Sequence, residues 1–212
     1  MSENYKERIA QSLLQINAIQ LEPSNPFVWA SGIKSPIYCD NRKILSYPKV
    51  RKLVRDAFVN QIKELYGDVD LIAGVATGAI AHGMLVADVL NLPFVYVRSE
   101  AKGHGMQNLI EGDIVPGKRV VVIEDLVSTG GSSVKAVEAL RDRGMKVLGL
   151  IAIFTYGFQR AFDTFSKANC KWSVLTDYST LMNIAVEEEM LDRAYLSVLE
   201  EWQANPENWS NL

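Results

Sequence analysis

Residues 119–132, Arg-Val-Val-Val-Ile-Glu-Asp-Leu-Val-Ser-Thr-Gly-Gly-Ser, decide how the rest of the chain is read. Val120, Val121, Val122 and Ile123 run straight into two acids, Glu124 and Asp125. An unbroken apolar run of this kind marks a strand of a parallel sheet, covered on both faces. Leu126 and Val127 then lead into a turn of small and hydroxyl residues, Ser128, Thr129, Gly130, Gly131 and Ser132, where a helical pattern begins. Backbone N–H groups at a helix start, backed by the helix dipole, bind phosphate. An acid beside a phosphate repels it. Glu124 and Asp125 make sense if they hold another part of the same ligand, sugar hydroxyls or a metal. The stretch therefore predicts a site for a phosphorylated sugar. It lacks the G-x-G-x-x-G of a dinucleotide site, and no lysine follows the glycines as in a Walker loop. An ordinary strand-to-helix turn capped by Asp and Ser leaves the paired acids and the hydroxyl–glycine run unexplained.

On either side of this stretch the pattern alternates regularly. Strands are expected at 69–74, 94–97, 119–125 and 146–153, and helices at 79–90 and 131–143. Upstream, Tyr5, Ile9, Leu13 and Ile16 recur at helical spacing within 3–20, and a second helix is expected over 48–65. Residues 23–47 are irregular, with Pro23, Pro26 and Pro36 between short β-like pieces. Downstream, 158–168 reads as helix, 171–175 as strand, and 178–203 as helix broken near 188. Strands alternating with helices predict an α/β fold, a mainly parallel twisted sheet flanked by helices. With 212 residues, 48% of them hydrophobic, one domain over 1–212 is expected. Its first part, 1–47, would be an N-terminal helix and an extension lying over the strand ends. The remainder, 48–212, would be the core with its C-terminal helices.

The net charge of −3 gives no reason to expect a nucleic-acid surface. Cys39 and Cys170 are the only thiols and show no metal-ligand spacing, as in a reduced cytoplasmic protein. Residues 1–8 are polar, unlike a signal peptide, and no apolar run is long enough to span a membrane.

Ligands of open parallel sheets bind beyond the carboxyl ends of the strands. Three loops should converge there: the turn after 69–74, the loop after 94–97 and the turn after 119–125. The first, Gly74-Val-Ala-Thr-Gly-Ala79, is small enough for close backbone approach to an anion, although such glycines also serve tight packing. His82, one turn further on, reads as a packing or surface residue. The second loop carries Arg98, Lys102 and His104 between Gly103 and Gly105. A long, cationic, glycine-hinged loop at this end of a sheet suits closure over a polyphosphate.

The stretch at 124–132 resembles the signature of the type I phosphoribosyltransferases. The resemblance narrows at Arg98-x-Glu-Ala-Lys-x-His-Gly105, which is similar to the catalytic loop of the orotate phosphoribosyltransferases. Residues 31–42, Ser-Gly-Ile-Lys-Ser-Pro-Ile-Tyr-Cys-Asp-Asn-Arg, resemble that family's N-terminal hood. The likeness implies a type I phosphoribosyltransferase fold and transfer of ribose 5-phosphate from 5-phosphoribosyl 1-pyrophosphate (PRPP) to N1 of orotate. It implies that Glu124 and Asp125 hold the ribose hydroxyls and that residues 127–132 cradle the 5′-phosphate. Residues 76–78 would meet the pyrophosphate through an unusual backbone conformation. Arg98, Lys102 and His104 would close on the leaving group, and Ser128 would bond orotate. Arg98, Lys102, His104 and Asp125 are thus the expected catalytic residues. Magnesium would be held mainly through PRPP, near Glu124 and Asp125. A homodimer sharing the loop 98–114 between subunits is also implied. Some members carry basic residues where this chain has Ala30, Gly78 and Ser99; Lys34, Arg42 or Arg160 are the cations that could stand in. A phosphoribosyltransferase for another base, or a non-catalytic sensor of the sugar pyrophosphate, would share the 124–132 stretch. The sensor would need a basic recognition helix that residues 1–47 do not contain.

Overall fold

The sheet is built on the apolar runs. In a computed structural model, residues 5–29, 32–100 and 109–209 are described. Six strands stand in the order β10 (Trp172–Asp177), β9 (Lys146–Thr155), β8 (Arg119–Val127), β5 (Leu71–Val75), β6 (Phe94–Val97) and β7 (Ile110–Glu111). All neighbours are parallel except β6 and β7. The antiparallel pair lies at one edge, where Tyr96 faces Glu111 and Val97 faces Ile110. No strand was expected at 110–111, because two residues carry no periodicity to read.

Successive side chains of a strand point to opposite faces. Val121, Ile123, Ile151 and Ile153 accordingly pack into one core, while Val120, Val122, Leu150 and Ala152 enter the other. Helices α1 (Tyr5–Gln15), α2 (Pro48–Tyr66) and α3 (Ile80–Leu90) cover the first face together with α6 (Tyr178–Glu187) and α7 (Leu196–Ala204). Helices α4 (Gly131–Asp142) and α5 (Gln159–Lys167) cover the second. Full burial of one Val, Leu, Ile or Phe side chain stabilises by roughly 1.5–3 kcal/mol, so these double-sided strands anchor the fold. The expected helix 178–203 is two helices: α6 stops at Glu187, and a short 3-10 turn, Arg193–Tyr195, precedes α7. Glu189 takes a positive φ of 56° just past that stop, within the break expected near 188.

Residues 19–39 form no part of the main sheet. Strand β1 (Ile19–Leu21) pairs with β4 (Ile37–Cys39), and β2 (Phe27–Val28) with β3 (Lys34–Ser35), both antiparallel. This hood reaches the carboxyl ends of the main strands. Asn41, which follows it, donates its side-chain amide to the Asp125 carbonyl at 2.6 Å, and the Trp29 ring lies 5.3 Å from that of Tyr156, the residue after β9.

Phe165 of α5 couples packing to the strand-end turns. It is 1% exposed, stacks on Trp172 at 4.7 Å, and approaches the backbone of Gly130. Phe165→Ala should destabilise the chain by roughly 3–5 kcal/mol, the usual cost of a large-to-small aromatic change in a core. Urea unfolding should show this as a lowered midpoint with the slope little changed; a midpoint equal to that of the wild type would contradict this packing.

Candidate active site

The turn after β8 is shaped by its backbone. Gly130 adopts φ 81°, which a glycine enters at no steric cost, and α4 begins at the next residue. Among the described residues no side chain caps this helix start. The first N–H groups of a helix have no intrahelical acceptor, so those from Gly131 onward are available to a ligand. Gly131 and Ser132 are exposed, and Ser128 and Thr129 are half-buried. From below, the buried Thr155 hydroxyl donates to the Val127 carbonyl at 2.8 Å and accepts from the Gly157 amide at 3.1 Å. The neighbouring strand thus fixes the root of the turn.

The three expected loops do converge. Ala76, Arg98, Ser99 and Ser132, one or more from each loop, border a cleft of about 790 Å³ that continues along α4 past Lys135, Glu138 and Asp142, while Asp125 and Gly78 do not line it. Residues 74–79 have the unusual backbone expected of them: the Ala76–Thr77 peptide is cis. Gly78 lies against Asp125 so closely that a Cβ there would collide with the carboxylate. This is a physical reason for glycine at a position where some phosphoribosyltransferases carry lysine. Arg98 extends from the end of β6 and pairs with Glu111 of β7 at 3.3 Å. Lys102 and His104 lie outside the described residues, as does Ala30.

The two acids are not equivalent. Asp125 is half-buried and sits beside Gly78. Glu124, one residue back, is 4% exposed and turns to the other face of the sheet. Its two carboxyl oxygens accept from the Ser133 hydroxyl at 2.9 Å and from the Asp125 amide at 3.0 Å. The pleat of β8 is the reason: adjacent residues cannot both project into one space. Burial first, and then the Asp125 charge, raise the Glu124 carboxyl well above the ordinary glutamate value.

Of the three stand-in cations, Arg42 is engaged by Asp40 at 2.6 Å and Arg160 by Glu207 at 2.9 Å. Exposed pairs of this kind are worth little and part readily. Lys34 is exposed on the hood. His82 is 2% exposed, in keeping with the packing role expected for it. Burial lowers its basicity, against opposing contributions from the Asp125 charge and the Asn41 backbone. Two buried polar atoms here, His82 Nε2 and Asn41 Oδ1, have no partner among the described residues. Nothing in the order of residues marked Asn41 as a support of the acid, because the contact spans 84 positions.

The Glu124 environment predicts a pH effect on folding. Its proton is held more tightly in the folded chain than in the unfolded one. The stability this lends is fully present below pH 4.5, the ordinary value, and is lost as pH rises toward the raised folded-state value. Glu124→Gln stays neutral and can still bond Ser133 and the Asp125 amide. Urea midpoints of this variant should decline less than those of the wild type between acid and alkaline pH; parallel declines would refute the assignment.

Comparison with known proteins agrees with this geometry. The model of the phosphoribosyl transferase domain matches residues 40–191. The orotate phosphoribosyltransferase of Porphyromonas gingivalis is 54% identical over 201 residues, covering 95% of this chain and 96% of that protein. The enzyme of the same name from Bacteroides thetaiotaomicron is 52% identical over 207 residues, covering 98% of both. Among solved structures, orotate phosphoribosyltransferase from Aeropyrum pernix superposes with a TM-score of 0.75 at 27% identity, covering 87% of this chain and 99% of that one. With an uncapped helix start beside a strand-end aspartate, and such identity along nearly its whole length, the chain belongs to the orotate phosphoribosyltransferases.

Proposed function

We propose that this chain displaces pyrophosphate from C1′ of PRPP with N1 of orotate, giving orotidine 5′-monophosphate. The observation that carries this reading is the open start of α4 beside Asp125 and the 74–79 turn. The spacing of these parts suits a 5′-phosphate, a ribose and a pyrophosphate of one ligand. The amides of residues 129–132 bind the 5′-phosphate, and Ser128 bonds the acceptor. Asp125 accepts from the ribose hydroxyls. Glu124 supports it from behind, through the Asp125 amide, and reaches the ligand only if its own bonds rearrange.

Transfers at C1′ develop positive charge on the sugar and negative charge on the leaving group. Little covalent chemistry is needed from the protein beyond positioning and charge stabilisation. Arg98 clamps phosphate oxygens with its planar guanidinium. Lys102 and His104 close onto the pyrophosphate, His104 through a proton or a hydrogen bond. Closure also excludes water, which would otherwise hydrolyse the activated sugar.

Among the described residues, no group of three or more His, Cys, Asp or Glu could hold a metal. That donor set fits magnesium carried on substrate oxygens, since this hard ion keeps its waters and needs few protein carboxylates. Asp125 would hold it through the ribose diol, and when bound it offsets charge on the pyrophosphate. The chain acts in the cytoplasm as a homodimer that shares the loop 98–114 between subunits. No described helix is long and apolar enough to cross a membrane.

With PRPP and magnesium, the chain should consume orotate, followed by its absorbance, and leave adenine, hypoxanthine, xanthine and uracil untouched. Failure with orotate would overturn the reading. Lys102→Ala should lower turnover by orders of magnitude with a nearly unchanged thermal midpoint; turnover close to normal would remove Lys102 from the mechanism. If the loop is shared, mixing inactive Lys102→Ala and Asp125→Asn chains should restore part of the activity. Verified mixed dimers without activity would mean that each subunit works alone.

A further inference from the structure

The phosphoribosyl transferase match ends at both sides of the core, at residues 40 and 191. Described segments outside it, 5–29 with 32–39 and 192–209, are far apart in sequence but pack on each other. Trp202 of α7 is the junction. It is fully buried, and its indole N–H donates to the Lys34 carbonyl of β3 at 3.3 Å, across 168 positions. Its ring meets Trp29 edge-on at 5.8 Å and Tyr156 at 5.7 Å. Beside it, the Gln203 amide donates to the Tyr156 carbonyl at 2.7 Å. A second tie joins Ser24 and Tyr195 hydroxyls at 2.7 Å.

The hairpin that Trp202 holds is too short to hold itself. Strands β2 and β3 pair Phe27 with Ser35 and Val28 with Lys34, extended by the Trp29 amide donating to the Ile33 carbonyl at 2.9 Å. A two-stranded hairpin is marginal in water even when longer, so its position is set by what packs against it. Trp29, just after β2, is braced by Tyr156 and Trp202 and donates its own N–H to the Ile37 carbonyl at 3.2 Å. Trp202 of α7 and Tyr156 after β9 together brace the hood at this corner.

We infer that Trp202 is a positioning residue for the acceptor base: through the Lys34 carbonyl and the Trp29–Tyr156 pair it sets the height of the hood over the strand ends. This rests on the proposed reaction, in which orotate lies between the hood and Ser128. The donor sugar is held elsewhere, at the start of α4 and at Asp125, none of which Trp202 touches in its ring or hydrogen-bond contacts. Loss of Trp202 should thus separate the two substrates, whereas a residue serving stability alone would affect both or neither.

Steady-state kinetics of the full chain, with each substrate varied in turn, tests this. Trp202→Phe keeps an aromatic ring but removes the indole N–H and the ring volume beyond a phenyl group. It should raise KM for orotate by about five- to tenfold, the range expected for one lost buried hydrogen bond. KM for PRPP and kcat should stay within about twofold of the wild type, an indifference expected of separate sites. Trp202→Leu should raise KM for orotate further than Trp202→Phe. Gln203→Ala, which loosens α7 from Tyr156 without emptying the core, should act in the same direction more weakly, and it decides the matter alone if the Trp202 variants do not fold. An unchanged KM for orotate in a folded variant, or equal rises for both substrates, would overturn the inference while the reaction stands. A wild-type chain that does not consume orotate would overturn both.

Discussion

A helix start left without a cap is a cost unless something fills it, and the start of α4 is left so. Gly130 offers no side-chain oxygen to cap it. The surrounding structure keeps the turn in this state. Thr155 pins its root through the Val127 carbonyl, and Phe165 closes the space beneath Gly130. Both supports come from β9 and the helix after it, which pack because β8 and β9 are apolar on both faces. Preorganised amides of this kind need no rearrangement to meet an anion, and their dipoles act most strongly where water is excluded.

The second constraint is charge. PRPP brings many negative charges to a place that already holds Asp125 and, against the opposite face, Glu124. Burial, and then the Asp125 charge, raise the Glu124 carboxyl well above the ordinary glutamate value, which disfavours a second negative charge there. Two described cations in this region have acidic partners, Arg98 with Glu111 and Arg42 with Asp40, in pairs that part readily. In the proposed reaction, Lys102, His104 and magnesium would add positive charge against the pyrophosphate. A side chain at Gly78 would displace the Asp125 carboxylate from its present position.

Much of this was legible in the order of residues, and the limits have physical causes. The apolar runs at 69–74, 119–125 and 146–153 read as buried parallel strands, which the structure places at Leu71–Val75, Arg119–Val127 and Lys146–Thr155, and the hydroxyl–glycine turn after Asp125 pointed to phosphate. Two-residue strands such as β2, β3 and β7 leave no periodic trace, so the hood's pairing and the antiparallel edge emerge only in three dimensions. Glu124 and Asp125 looked alike as neighbours in a line. Alternation along a strand says that they part, but not to which side; the structure puts Glu124 against Ser133 of α4 and Asp125 beside Gly78. Contacts across long separations, Asn41 with Asp125 and Trp202 with Lys34, have no local signature at all.

The central claim is that the amides around Thr129 and Gly130 grip the terminal phosphoryl group of the sugar, leaving Asp125 for its hydroxyls. A crystal structure of the chain with PRPP and magnesium tests it most directly. The 5′-phosphate should lie within hydrogen-bonding distance, about 2.7–3.2 Å, of backbone nitrogens in 129–132, with the ribose hydroxyls on Asp125. A phosphate bound elsewhere, with this turn facing only solvent, would contradict it.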